Sequence, residues 1–254
     1  MKQSLLFILL FVLVSCQNVH EPRQPVACWS EFQLPQINFI NQAEDTEGWR
    51  TLNRLIPCQI EFVKELSLEV LKSLYFSPTD SIPDVRTLNY YLRDVRGIGA
   101  KWGAPPTIGI FYSSRWVERI AEQSGCDEQV LFETRGVMLH ELAHAFQLEP
   151  QGIGGYNDGG EFWILVEGVA DAVRIYNGGF PPDNRRPGGN WTDGFQRTGY
   201  FIIWLMEREP DFLRKLNRST LEVIPWGFDK AIKHILGEEY CIDALWEEYQ
   251  AAIS

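Results

Sequence analysis

An α+β fold is predicted for this chain of 254 residues by two observations. Short runs rich in branched and aromatic residues lie in its first half, where they suit strands of a small mixed β-sheet. Segments with apolar residues at helical spacing dominate the second half. No Pro-, Gly- or Ser-rich stretch divides the chain into two compact halves, so a single packed domain is expected after an N-terminal segment.

The elements follow in order. Residues 37–42, "INFINQ", suit an early strand. Residues 58–76 place Phe62, Leu66, Val70 and Leu74 on one helical stripe, with Val63 and Leu71 beside it. "SPTDSIPD" then breaks the helix. Residues 85–94 and 107–113 read as strands, joined by a turn-rich connection over 97–106. "TIGIFYS" (107–113) fits an edge strand beside a cleft, where it could pair with an extended peptide, or an internal strand equally well. A short helix is expected at 114–123 and a long one at 127–147, capped by Asp127 and ended before Pro150. A glycine-rich loop (151–160) leads to another helix at 161–179. A loop at 180–194 precedes helical segments near 195–208, 211–218 and 227–252, the last broken at Gly237.

Composition excludes some partners. Hydrophobic residues make up 45% and charged residues 22%, the balance of an ordinary globular protein. The formal charge of −11 argues against a nucleic-acid partner, whose phosphates require a basic surface. It argues equally against electrostatic attachment to an anionic membrane.

The first residues suggest another route to a membrane. Lys2 precedes an apolar run from Leu5 to Val14, too short to span a bilayer and of the form of a signal-peptide core. Leu13-Val14-Ser15-Cys16 resembles a bacterial lipobox. The resemblance implies cleavage before Cys16 and a lipid anchor on its sulfur, facing the periplasm or the cell surface. Residues 1–15 are thus expected to be a lipoprotein signal peptide, 16–34 a tether, and 35–254 the folded domain. Cys28, Cys58, Cys126 and Cys241 remain, an even number that permits two disulfides or four buried thiols.

The chemistry concentrates in "VMLHELAHAFQLEP". His140 and His144 lie four residues apart, on one face of a helix and one turn from each other, so both imidazoles can reach a single Zn²⁺. Glu141, beside the first ligand, is placed to take a proton from a zinc-activated water. A third histidine at the metzincin spacing is absent: the corresponding places hold Gln147 and Pro150. Glu167, in "VEGVADAVR", is the better third ligand. Twenty-two residues separate it from His144, room for one loop and a return helix. Asp171 follows on the same face, and the small Gly168 and Ala170 would let the two helices approach. The apolar surroundings would bury these two carboxylates unpaired unless they met a metal and its ligands.

H-E-x-x-H followed by E-x-x-x-D resembles the gluzincin arrangement, which implies Glu167 as third ligand of one zinc ion and Asp171 as acceptor from a ligand histidine's other N–H. The chain also resembles the basic secretory protein family, zinc peptidases of plants and bacteria. "GVMLHELAHAFQ", "EGVADAVR", "GYFIIWLMEREPDFLRKLN" and "ALWEEYQ" carry the likeness, which runs from about Phe39 to Gln250. It implies a zincin-like catalytic region with two packed zinc-binding helices, and peptide hydrolysis outside the cytoplasm. Two departures stand out: this chain is acidic, and it carries an anchor signal. Tyr200, in the Gly199-Tyr200 pair that matches the family, is the candidate for stabilising the oxyanion. Tyr156 and Asn157 are candidates for the cleft wall, and His234 is read as structural.

The expected function is therefore a zinc metallopeptidase acting on peptides or proteins. Two alternatives remain, a peptidase directed at glycoproteins and a zinc-containing binding lipoprotein without turnover. Retention of Glu141 disfavours the second, since a purely structural metal has no use for a base.

Overall fold

The computed structural model describes residues 28–254. The expected signal peptide and Cys16 lie outside this range, and so does most of the expected tether. The remainder of that tether is not free: Trp29, Phe32 and Leu34 pack against the core.

The fold is α+β. Four strands form a mixed sheet in the order β1-β2-β4-β3, comprising β1 (Gln36–Gln42), β2 (Thr87–Arg93), β3 (Gly99–Ala104) and β4 (Thr107–Ser113). β1, β2 and β4 are parallel, while β3 runs antiparallel to β4 and forms an edge. β4 is therefore internal, and the edge falls to the segment expected to be a connection. β3 reads "GAKWGA", with no branched residue to mark it as a strand. It forms because two prolines turn the chain back onto the strong strand β4.

Alternation along β2 and β4 makes the sheet two-faced. Leu88, Tyr90, Leu92, Ile108, Ile110 and Tyr112 are fully buried toward the helices. On the other face Tyr91, Trp102 and Phe111 surround the Arg93 guanidinium, 4.7 Å from the Tyr91 and Trp102 ring centres. Trp102 lies flat across Gly109, where any side chain would collide with the indole.

The helices are α1 (Glu47–Leu55), α2 (Gln59–Leu74), α3 (Ser114–Ser124), α4 (Asp127–Phe146), α5 (Gly160–Tyr176), α6 (Phe195–Leu205), α7 (Phe212–Glu222), α8 (Phe228–Leu236) and α9 (Ile242–Ile253). α1 was not anticipated. α4 is capped by Cys126, whose sulfur accepts from the Gln129 N–H. Asp127 instead pairs with Arg54, its oxygens 2.6 and 2.7 Å from the guanidinium nitrogens. Gly237, at φ +129°, separates α8 from α9 as expected. Cys28, Cys58, Cys126 and Cys241 are all exposed with free thiols, so the expectation of disulfides or buried thiols is not met.

α4 and α5 form the centre. α4 packs against β3 and β4 on one side and α5 on the other, and α5 packs in turn against α6. Gly136 stands at the close approach of α4 to α5, where Gly168 was expected. The Arg174 side chain fills the space where a Gly136 Cβ would stand, only 2.5 Å from its Nε. Arg174 donates to Gly179 O at 2.9 Å and to Glu133 at 2.8 Å, pinning the two helices together. Gly168 faces α6 instead, where an added Cβ would meet Thr198 at 2.5 Å.

Candidate metal centre and cleft

His140 and His144 project from consecutive turns of α4 toward Glu167 on α5. The two Nε2 atoms are 3.0 Å apart, and Glu167 Oε2 lies 3.3 Å from the first and 3.6 Å from the second. The three residues together could hold a metal ion. Each is supported from behind. His140 Nδ1 faces Asp171 Oδ1 at 2.7 Å, His144 Nδ1 faces the Gln147 amide at 2.9 Å, and Tyr156 donates its hydroxyl to Glu167 Oε1 at 2.6 Å.

Charges are coupled here. Burial works against a charged His140, but Asp171 and Glu167 outweigh it and push that imidazole up to about 10. Burial and the charge on His140 both lower His144. Burial would raise Glu167, yet hydrogen bonds with the two histidines hold it well below the usual carboxylate range. The two buried carboxylates Glu167 and Asp171 thus favour positive charge beside them.

Glu141 stands apart from this cluster. Burial raises its carboxyl to about 7, while the charge on His140 and the Lys101 backbone N–H act in the opposite direction. Gly99 lets the β3 main chain come close, since a Cβ there would sit 3.0 Å from Glu141 Oε1. Both the cluster and Glu141 line a cavity of about 810 Å³, walled by Gly99–Lys101 of β3 on one side and by apolar groups including Val137, Phe162, Phe180 and Phe195 on the other. Phe195 begins α6 with φ +43°, in the left-handed region that a bulky residue rarely adopts. Its ring stacks near His140, with centroids 6.2 Å apart.

Of the residues singled out in the sequence, His140, Glu141, His144, Glu167 and Asp171 come together, with Tyr156 at their margin. Tyr200 does not join them. Gly199 packs directly on Asp171 and Ala172, and Tyr200, one position on, is buried with its hydroxyl donating to Pro181 O at 2.6 Å. Asn157 does not line the cavity. His234 pairs with Glu222 at 3.0 Å, away from the cleft. Gln147, Phe195 and the β3 main chain were missed. Gln147 carried a legible signal, since it falls three residues after His144 on the same helical face.

Comparison with curated proteins gave no match, and neither did comparison with solved structures. A family model described as a peptidase of plants and bacteria (BSP) matches residues 34–249, most of the chain, and the protein belongs to that family.

Proposed function

We propose that the protein is a zinc-dependent peptidase that hydrolyses peptide bonds of proteins outside the cytoplasm, with Glu141 as general base. The observation that carries this reading is the triangle of His140, His144 and Glu167 ligand atoms. Its edges of 3.0, 3.3 and 3.6 Å suit a tetrahedral ion with bonds of ~2.0–2.1 Å, whose ligand atoms stand about 3.3 Å apart. Two nitrogens and one carboxylate oxygen also suit zinc, and three protein ligands leave a position open, as catalytic sites do.

Zinc at this place would supply Lewis acidity toward the substrate carbonyl and lower the pKa of water. The chain's own residues do the rest. An extended substrate pairs with the open edge of β3 through main-chain hydrogen bonds, which brings its carbonyl past Glu141. Glu141 takes one proton from the attacking water. The water oxygen bonds to the carbonyl carbon, the C–N bond breaks, and the same proton passes to the leaving amine. Tyr156 orients Glu167 rather than an oxyanion, because its single O–H is already donated to Glu167 Oε1. Burial and Glu167 raise its hydroxyl to about 12, so this hydrogen bond persists at neutral pH. The apolar wall of Phe162, Phe180 and Phe195 favours an apolar side chain next to the cleaved bond.

Elemental analysis for zinc, combined with cleavage assays on casein, mucin and short peptides, tests the proposal. Stoichiometric zinc with chelator-sensitive cleavage supports it. Cleavage of mucin alone would favour the glycoprotein-directed alternative, and zinc without cleavage of any substrate would favour a binding lipoprotein. Tyr156→Phe removes the donor to Glu167 and is expected to weaken zinc about 10–100-fold, as loss of other outer partners does. Unchanged zinc affinity in that variant would remove Tyr156 from the support of the metal centre.

The domain is proposed to be tethered to a bacterial membrane by lipid on Cys16. No described helix is long and apolar enough to cross a membrane. Cys16→Ser is expected to move the protein from the membrane fraction to the soluble fraction, or to leave it unprocessed. Persistent lipid labelling of that variant would contradict the assignment.

A further inference from the structure

We infer that Gln147 is a positioning residue for His144, holding it in the tautomer that presents Nε2 to a metal, as Asp171 does for His140. The inference rests on the metal reading above and extends it to a residue outside the H-E-x-x-H and E-x-x-x-D motifs. Gln147 follows α4 directly and is buried, with 6% of its surface exposed. Its side chain turns back along the helix, with the amide Nε2 placed 2.9 Å from His144 Nδ1.

Which amide atom faces the ring follows from the other side of the imidazole. His144 Nε2 points at His140 Nε2 and Glu167 Oε2, at 3.0 and 3.6 Å. A nitrogen that serves as ligand there offers its lone pair, so the ring proton sits on Nδ1. With the amide NH₂ toward the ring, two donors would oppose each other and Gln147 Oε1 would be left buried without a partner. Turning the amide by 180° hardly changes its shape and lets the His144 Nδ1–H donate to Oε1. One arrangement makes no hydrogen bond and the other makes one, in a buried site where an unmade bond is costly.

This arrangement makes α4 partly self-sufficient. The same helix supplies His140, Glu141 and His144, and its following residue orients the second ligand. α5 supplies the remaining ligand and the partner of the first histidine. A neutral amide at Gln147 keeps the orienting contact without adding a third carboxylate to the Glu167 and Asp171 pair.

Zinc affinity of the full-length protein, measured by competition with a chromophoric chelator, tests the inference in wild type, Gln147→Leu and Gln147→Glu. Gln147→Leu removes the acceptor and is expected to weaken zinc about 10–100-fold, as loss of other outer partners does. Gln147→Glu keeps an acceptor and has no donor, so it is expected to bind zinc at least as tightly as wild type. A purely structural amide, donating to its surroundings, would be damaged by both changes. Unchanged affinity in Gln147→Leu overturns the inference, and so does a Gln147→Glu protein weakened as much as Gln147→Leu. If Gln147→Leu does not fold, the Gln147→Glu result and the nitrogen NMR spectrum of zinc-loaded wild type decide. That spectrum should show a slowly exchanging proton on His144 Nδ1, and a proton on Nε2 instead would refute the assignment. A wild type that binds no zinc would overturn the metal reading itself, and this inference with it.

Discussion

Glu141→Gln is expected to keep the fold and the zinc while turnover falls at least ~10²-fold, the low end for loss of a general base. Glutamine matches glutamate in size and can still accept the Lys101 N–H, but it cannot take a proton from water. The pH profile gives a second sign. Burial raises the Glu141 carboxyl to about 7, so the protonated, inactive fraction grows as pH falls through that region. A nearby divalent cation favours the carboxylate and moves the midpoint below 7. The wild type should therefore lose kcat/KM on the acidic side with a midpoint below 7, and the residual rate of Glu141→Gln should lack that limb. Zinc content, melting temperature with and without chelator, and initial rates on one purified variant suffice. Retained zinc with a wild-type rate would take Glu141 out of the reaction.

Glu167→Ala is expected to cost the most metal. It removes the one carboxylate of the proposed ligand set and the acceptor of the Tyr156 hydroxyl in one step. The loss of zinc affinity should exceed the ~10–100-fold expected for the outer partner in Asp171→Asn. Comparing the two variants by chelator competition separates ligand from support. Full zinc occupancy with normal affinity in Glu167→Ala would shift the search to other carboxylates, although Glu161 is already engaged with the Phe228 N–H at 2.8 Å.

The parts of this site legible in the sequence are those set by helical geometry. His140, Glu141 and His144 needed only a helix, and Glu167 with Asp171 needed a second helix whose apolar sequence demanded burial. What escaped was decided by packing between distant segments. "GAKWGA" has no strand propensity of its own and becomes β3 because β4 offers it a ladder. Tyr200 was expected to open a helix but lies in the middle of α6, and its hydroxyl reaches Pro181 rather than the cleft while Gly199 packs on Asp171. Tyr156 reaches Glu167 from a glycine-rich loop, whose path no periodic pattern announces. Trp29, Phe32 and Leu34 looked like tether because they are spaced among polar residues and lie outside any regular pattern.

The open edge of β3 carries a liability as well as a use. Apart from the Lys101 N–H, which Glu141 accepts, an edge that can receive a substrate can receive any extended chain, including the edge of a second copy of this protein. A covering helix or an inward-pointing charge would prevent such pairing and also close the cleft. The composition of β3 offers a milder safeguard. Its glycines and alanines form a poor template for aggregation, and Lys101 places one positive charge on the edge. Replacing its small residues with valine or isoleucine would strengthen the strand and invite edge-to-edge assembly. Weak strand propensity here thus serves colloidal stability.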